Sequence, residues 1–187
     1  MGRLIYGINV TLDGCCDHTK GIADEELHDH WTRIMLEAGT LVYGRKTYEL
    51  MVPFWPDMAE NNSGPTKSLN DFAHAFAAVE KIVVFSRTLD DAAVGENTQV
   101  AHGDLREEIL CLKQEDGKNI LVGGVDLPSQ LIQLDLVDEF HFVVQPIVVG
   151  EGRRLMDGVS LAEKLHLKLV GSETLKSGSV ALRYTKK

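Results

Sequence analysis

Three short runs in this sequence carry side chains suited to binding anions, and each follows a run of apolar residues. Gly44-Arg45-Lys46-Thr47 comes after Thr40 to Tyr43, Ser86-Arg87 after Lys81 to Phe85, and Gly123-Gly124 after Asn119 to Val122. Glycine lets a ligand approach the backbone, arginine and lysine bring charge, and serine and threonine bring hydrogen bonds. Taken singly, each has an ordinary reading as solvated surface charge or as turn geometry after a strand. Taken together, at three successive strand ends, they describe a place for a phosphate-bearing nucleotide. Neither G-x-G-x-x-G nor the Walker A lysine loop occurs, so neither a dinucleotide-binding dehydrogenase nor a P-loop enzyme is supported.

The elements that must position these runs follow from periodicity. Residues 3 to 10 read as a first strand leaving through the turn Thr11-Leu-Asp-Gly14. Leu27, Trp31, Ile34, Met35 and Ala38 then recur at helical spacing, with Asp24 as N-cap and Gly39 as the stop. A strand from Thr40 to Tyr43 follows. Residues 53–67, with Pro53, Pro56, Gly64 and Pro65, read as a long irregular loop and a candidate lid. Leu69, Phe72, Ala73 and Phe76 mark a second helix, 81–85 and 98–101 two strands, and Asp104 the cap of a helix through Leu105, Ile109 and Leu112. Strand 119–122 runs into a helix from Asp126 through Leu127, Leu131 and Leu134. The last third is β-prone: a long strand from Phe140 to Val149, then a hairpin of 165–170 and 179–185.

Strands alternating with helices predict an α/β fold, three layers deep, with a mostly parallel mixed sheet and a C-terminal antiparallel hairpin. In such a sheet ligands bind outside the carboxyl ends of the strands, where all three runs lie. A length of 187 residues suits one domain over residues 1–187. The net charge of -9 argues against nucleic acid, and no apolar run reaches the length of a membrane span. With only three cysteines, Cys15, Cys16 and Cys111, a reducing compartment and hence the cytoplasm is expected. His28 and His30 stand two apart on a helix and point to different faces, so no metal site is expected.

The runs "VYGRKTYE" (42–49), "VVFSRTL" (83–89) and "ILVGGVDLPSQLI" (120–132) resemble the cofactor-binding segments of the dihydrofolate reductase-like superfamily. "VDEFHFVVQPIVVGEGRRLM" (137–156) is closer to the reductase domain of the bifunctional riboflavin-biosynthesis deaminase-reductase, whose pattern is L-x-D-E, a strand, a proline and G-x-G. The resemblance runs in order from "INVTLDG" to the final strand.

It implies NADPH, with Gly44, Arg45, Lys46 and Thr47 at the adenosine phosphates and Ser86 and Arg87 at the 2′-phosphate. Gly123 and Gly124 would give the pyrophosphate or nicotinamide ribose room, with Val122, Val125, Asp126 and Leu127 beside them. The implied reaction is hydride transfer from NADPH to a small heterocycle, as in a 5-amino-6-(5-phosphoribosylamino)uracil reductase. Dihydrofolate reductase and a non-catalytic NADPH-binding protein are the alternatives.

No acid is assigned by motif. Asp29 on the first helix and Asp13 at the end of the first strand are the candidates, beside solvated neighbours Asp24, Glu25 and Glu26. Arg153 and Arg154 are either contacts for a substrate phosphate or surface charges. The zinc-deaminase signature H-x-E with P-C-x-x-C is absent, so deamination is not expected. The partners expected are a heterocyclic substrate and a second copy, a homodimer pairing through the edge offered by Phe140 to Val149.

Overall fold

Alternation along the strands sets the architecture seen in the computed structural model, which describes residues 1–115 and 117–187. In β1 (Leu4–Thr11), β2 (Ala38–Gly44), β3 (Lys81–Phe85) and β5 (Asn119–Val122), successive side chains enter two different cores. Leu4, Tyr6, Val42, Val83, Ile120 and Val122 pack against α5 (Leu105–Gln114) and α6 (Asp126–Gln133), through Ile109, Leu112, Leu127 and Leu131. Ile5, Leu41, Tyr43, Ile82, Val84 and Leu121 pack on the other face against α1 (Glu25–Leu36) and α4 (Lys67–Ala77), through Met35, Phe72 and Phe76. Period-2 strands with both faces apolar need helices on both sides. The result is the expected three-layer α/β/α fold.

With β4 (Thr98–Ala101), β6 (Glu139–Gln145), β7 (Leu167–Thr174) and β8 (Val180–Lys186), the strands form one sheet in the order β4-β3-β2-β5-β1-β6-β8-β7. Pairing is parallel from β4 to β6 and antiparallel for β8 on β6 and β7 on β8. β2 leads toward β3 on one side, whereas β5 leads across β1 to β6 on the other. The switch point between β2 and β5 opens a crevice at the strands' carboxyl ends.

Capping agrees with the sequence. Asp24 accepts a hydrogen bond from the Leu27 amide at 2.8 Å, and Asp104 accepts from Arg106 and Glu107 at 3.0 and 3.1 Å. Five expectations are corrected. Residues 53–67 are not an irregular loop, because α3 (Phe54–Asn61) occupies most of them, following α2 (Arg45–Met51). Pro53 caps α3 and Pro56 lies in its first turn, where a missing N–H breaks no helical bond. The helix is worth forming because Met58 and Ala59 bury against Ala73, and Trp55 meets Phe72 with ring centroids 4.6 Å apart. α1 stops at Leu36, and Ala38 and Gly39 join β2 across a bulge against β5. The long strand ends at Gln145, before Pro146, and the hairpin's first strand extends to Thr174. Finally, β6 is interior, bonded to β1 and β8, so it offers no free edge; the edge at this end of the sheet is β7. Among the described residues, no helix is long and apolar enough to cross a membrane.

Trp31 shows how tightly α1 is set onto the sheet. Its Nε1 donates to Asn9 Oδ1 at 2.8 Å, and its ring lies over Gly7, where an added Cβ would sit 2.7 Å from Cζ3. The anchored ring has little room to retreat. Gly7→Ala is therefore expected to destabilise the protein by about 1–3 kcal/mol through overpacking. Urea denaturation checks this: an unchanged midpoint would show that the ring moves freely.

Candidate functional site

A cleft of about 610 Å³ opens at the switch point. Its walls include Gly44, Arg45, Lys46, Thr47, Ser86, Arg87, Gly123, Val125, Asp126 and Leu127, so the three strand-end runs do converge. Val122 ends β5 fully buried beneath it, and Gly124 stands against Thr47. The end of β4 joins them through His102, Gly103 and Asp104. Sequence reasoning passed over these last residues, although the rule that picked the other strand ends applies equally to residues 98–101.

The glycine turn is held from below, and at Gly124 it cannot carry a side chain. Gly124 has φ +92°, a left-handed value, and a Cβ there would meet Thr47 Oγ1 at 2.6 Å. A Cβ on Gly123 would lie 3.4 Å from the ring of Tyr43. Beneath, the hydroxyl of Tyr6 donates to the Gly124 carbonyl at 3.0 Å, and burial of that phenol raises its pKa, keeping it a neutral donor. Tyr6 was read only as part of a strand. A buried tyrosine needs a partner, but sequence does not say which.

The charges of the cleft differ in freedom. Arg45 donates to Thr88 Oγ1 at 3.0 Å and lies 3.6 Å from Glu49. Arg87 is exposed on the rim, and no ion pair of Arg87 or Lys46 occurs among the described residues. Ser86 Oγ accepts from the Thr88 and Leu89 amides at 3.2 and 3.0 Å, shaping the turn that presents Arg87. Asp126, at the start of α6, is paired with Arg153. That pair offsets a carboxylate that would otherwise repel an anion at the helix N-terminus.

Neither proposed acid is brought to the cleft. Asp29 is exposed on α1, close enough to Lys67 on α4 for their charges to interact. Asp13 lies in the turn after β1, where it accepts from Thr11 Oγ1 at 2.6 Å and from the amides of Val149 and Gly150 at 3.2 and 2.8 Å. The Thr11 hydroxyl first, then the Gly150 and Val149 amides, lower its pKa to about 2. At neutral pH it is an ionised acceptor, a poor proton donor, and its role is to tie two loops together. Arg154, which donates to the Asp13 carbonyl, and the Lys20–Glu151 pair at 2.8 Å fasten the same loops. Gln145, fully buried, adds bonds to the amide and carbonyl of Ile22 at 2.9 and 2.7 Å.

Asp13 has its folded pKa below the unfolded value near 3.8, so its contribution is present above that value and is lost as pH falls toward 2. The Val149 and Gly150 amides are expected to lose hydrogen-exchange protection between pH ~4 and ~2, before those of β1. Asp13→Asn is expected to remove that step; protection unchanged across the window would contradict the assignment.

Residues 3–181 match the model of the RibD C-terminal domain. The chain belongs to the RibD C-terminal domain family. Two curated relatives of this RibD C-terminal domain come from Bacillus subtilis (strain 168). The uncharacterized protein YyaP is 34% identical over 97% of this chain and 94% of its own length. The uncharacterized protein YwjB is 26% identical over 89% of each. Among solved structures, a putative riboflavin biosynthesis protein from Shewanella sp. PV-4 superposes with a TM-score of 0.73 at 20% identity, over 100% of this chain and 99% of that one. A Thermotoga maritima diaminohydroxyphosphoribosylaminopyrimidine deaminase/5-amino-6-(5-phosphoribosylamino)uracil reductase gives 0.68 at 18% identity, over 100% of this chain and 57% of that one. An Enterococcus faecalis dihydrofolate reductase complexed with NADP(H) gives 0.65 at 15% identity, over 100% of this chain and 97% of that one. These likenesses establish a shared fold for this RibD C-terminal domain.

Proposed function

We propose that this protein is an NADPH-dependent reductase of the riboflavin-biosynthesis type, acting in the cytoplasm on a small heterocyclic substrate. The observation that carries the reading is the convergence of Gly44–Thr47, Ser86-Arg87 and Gly123 on one cleft at the switch point of the sheet. The residues present fit the cofactor. The Gly123-Gly124 turn has no space for a side chain at Gly124, and the rim carries exposed Arg87 and Lys46. The family, and the reductase named in the Thermotoga structure, support the reaction class.

In this reading Arg45, Lys46 and Thr47 hold the adenosine phosphates, and Ser86 and Arg87 take the 2′-phosphate. Gly123 and Gly124 admit the middle of the dinucleotide to the backbone, and the α6 N-terminus favours its negative charge. Tyr6 keeps the turn in place. NADPH supplies the hydride; the chain orients it and shields the site from water. A dihydrofolate reductase reading calls for an acid of α1 in the site, and Asp29 instead stands exposed beside Lys67. The three cysteines, all free thiols, support a reducing compartment.

Titration of the protein with NADPH and NADH, followed by nicotinamide fluorescence, tests the cofactor. Tighter binding of NADPH is expected, and binding of neither overturns the proposal. Steady consumption of NADPH with a ribosylaminopyrimidine substrate separates a reductase from a protein that only binds the nucleotide.

A further inference from the structure

We propose, on the footing of the NADPH site above, that His102 is a ligand of the 2′-phosphate, donating through Nε2, and that it makes the preference for NADPH over NADH depend on pH. Strand register puts the residue there. β4 pairs with β3 so that Ala101 lies beside Phe85, and β3 pairs with β2 so that Phe85 lies beside Gly44. These three residues end their strands, and the residues that follow them, Arg45, Ser86 and His102, all line the cleft.

The ring is fastened by one nitrogen and open at the other. His102 Nδ1 lies 3.0 Å from the Ser86 carbonyl. A carbonyl oxygen only accepts, so Nδ1 carries the hydrogen and Nε2 is the nitrogen that gains or loses a proton. That bond ties the ring to the turn that presents Arg87, the turn already shaped by the Ser86 hydroxyl. Nε2 faces Asp91, whose Oδ2 is 3.7 Å away, beyond hydrogen-bond reach, and both side chains are more than half exposed. The donor position at Nε2 is therefore open to a ligand.

The other charges around the ring are Arg87 from the turn after β3, Asp104 and Glu108 from the start of α5, and Arg45 and Lys46 on α2 across the cleft. Guanidinium, ammonium and carboxylate groups each hold one charge between pH ~6.5 and ~8.5, whereas an imidazole changes its charge near this range. Among the described residues that wall the cleft, His102 is the only histidine and none is a cysteine.

A phosphate monoester loses its second proton near pH ~6, so a 2′-phosphate brings two negative charges over the same range. Asp91 brings one, which makes the phosphate the stronger partner for the ring. The phosphate draws a proton onto Nε2, and the imidazolium donates a charge-assisted hydrogen bond there; the neutral ring has only a lone pair at that atom. Binding that takes up a proton tightens as pH falls. NADH has no phosphate at this position, so its affinity stays level.

Fluorescence titrations with both nucleotides across this range test the proposal. The parent is expected to bind NADPH about threefold or more tighter at pH ~6.5 than at pH ~8.5, with NADH level. His102→Asn keeps an amide donor for the Ser86 carbonyl and lacks a titrating nitrogen, so its NADPH affinity should be level and approach the parent's only at the highest pH. His102→Arg holds its charge throughout and should keep the NADPH preference without the slope. A slope that survives in His102→Asn overturns the assignment. Equal losses of NADPH and NADH affinity in that variant also overturn it, placing the ring against adenine or ribose. NADPH binding that is level with pH in the parent overturns this role alone, whereas binding of neither nucleotide at any pH overturns the cofactor site with it.

Discussion

Arg87→Ala is expected to weaken NADPH binding by about tenfold or more while leaving NADH binding unchanged. A charge-assisted hydrogen bond contributes roughly 1.5–3 kcal/mol, and only the 2′-phosphate distinguishes the two nucleotides at this rim. Arg87 has no competing ion pair among the described residues, so its full capacity is available to an incoming anion. Arg45 differs: Thr88 and Glu49 already engage it, and a ligand must replace those contacts. Arg45→Ala should therefore cost less than Arg87→Ala. Fluorescence titrations of both variants decide this. Equal losses for NADPH and NADH would move Arg87 away from the 2′-phosphate, and no loss for either would remove it from the nucleotide site.

The second large effect is expected at the glycine turn. Gly124→Val places a β-branched side chain at φ +92° and against Thr47, whose Oγ1 would lie 2.6 Å from the new Cβ. Backbone strain alone is about 1–3 kcal/mol, and Thr47 is itself β-branched and stiff, so the turn must shift rather than the side chain. Loss of nucleotide affinity of about 100-fold is expected, with a lower denaturation midpoint. Gly124→Ala combined with Thr47→Ala separates the two causes. It removes the collision and keeps the strain, so the denaturation midpoint should recover only in part, whereas affinity also loses the Thr47 hydroxyl. Full NADPH affinity in Gly124→Val would show that this turn is not the cradle.

Much of this site was legible because the chemistry lies in contiguous runs at strand ends, and parallel strands place those ends together. Gly44–Thr47, Ser86-Arg87 and Gly123 needed only the expectation of a parallel sheet. What was not legible depends on partners distant in the chain. The Asp126–Arg153 pair spans 27 residues, and the bonds of Asp13 to Val149 and Gly150 span 136 and 137. Without them Asp13 reads as an acid near the site, and with them as the knot between two loops. α3 was missed because Pro53 and Pro56 look like breakers when their helical positions are unknown. The edge was placed on Phe140 to Val149 because local sequence gives a strand's β-propensity and not its neighbours; β8 covers it.

The position of β1 has a consequence for how the molecule is made. β1 precedes the other strands of this sheet in the chain, yet its two neighbours in the sheet are β5 and β6, whose residues are 119–122 and 139–145. A nascent chain leaving the ribosome at about 5–20 residues per second must keep Leu4 to Thr11 unpaired on both edges for many seconds. The centre of the sheet thus closes only once β5 and β6 have emerged, and the buried residues Leu4, Ile5 and Tyr6 need shelter until then.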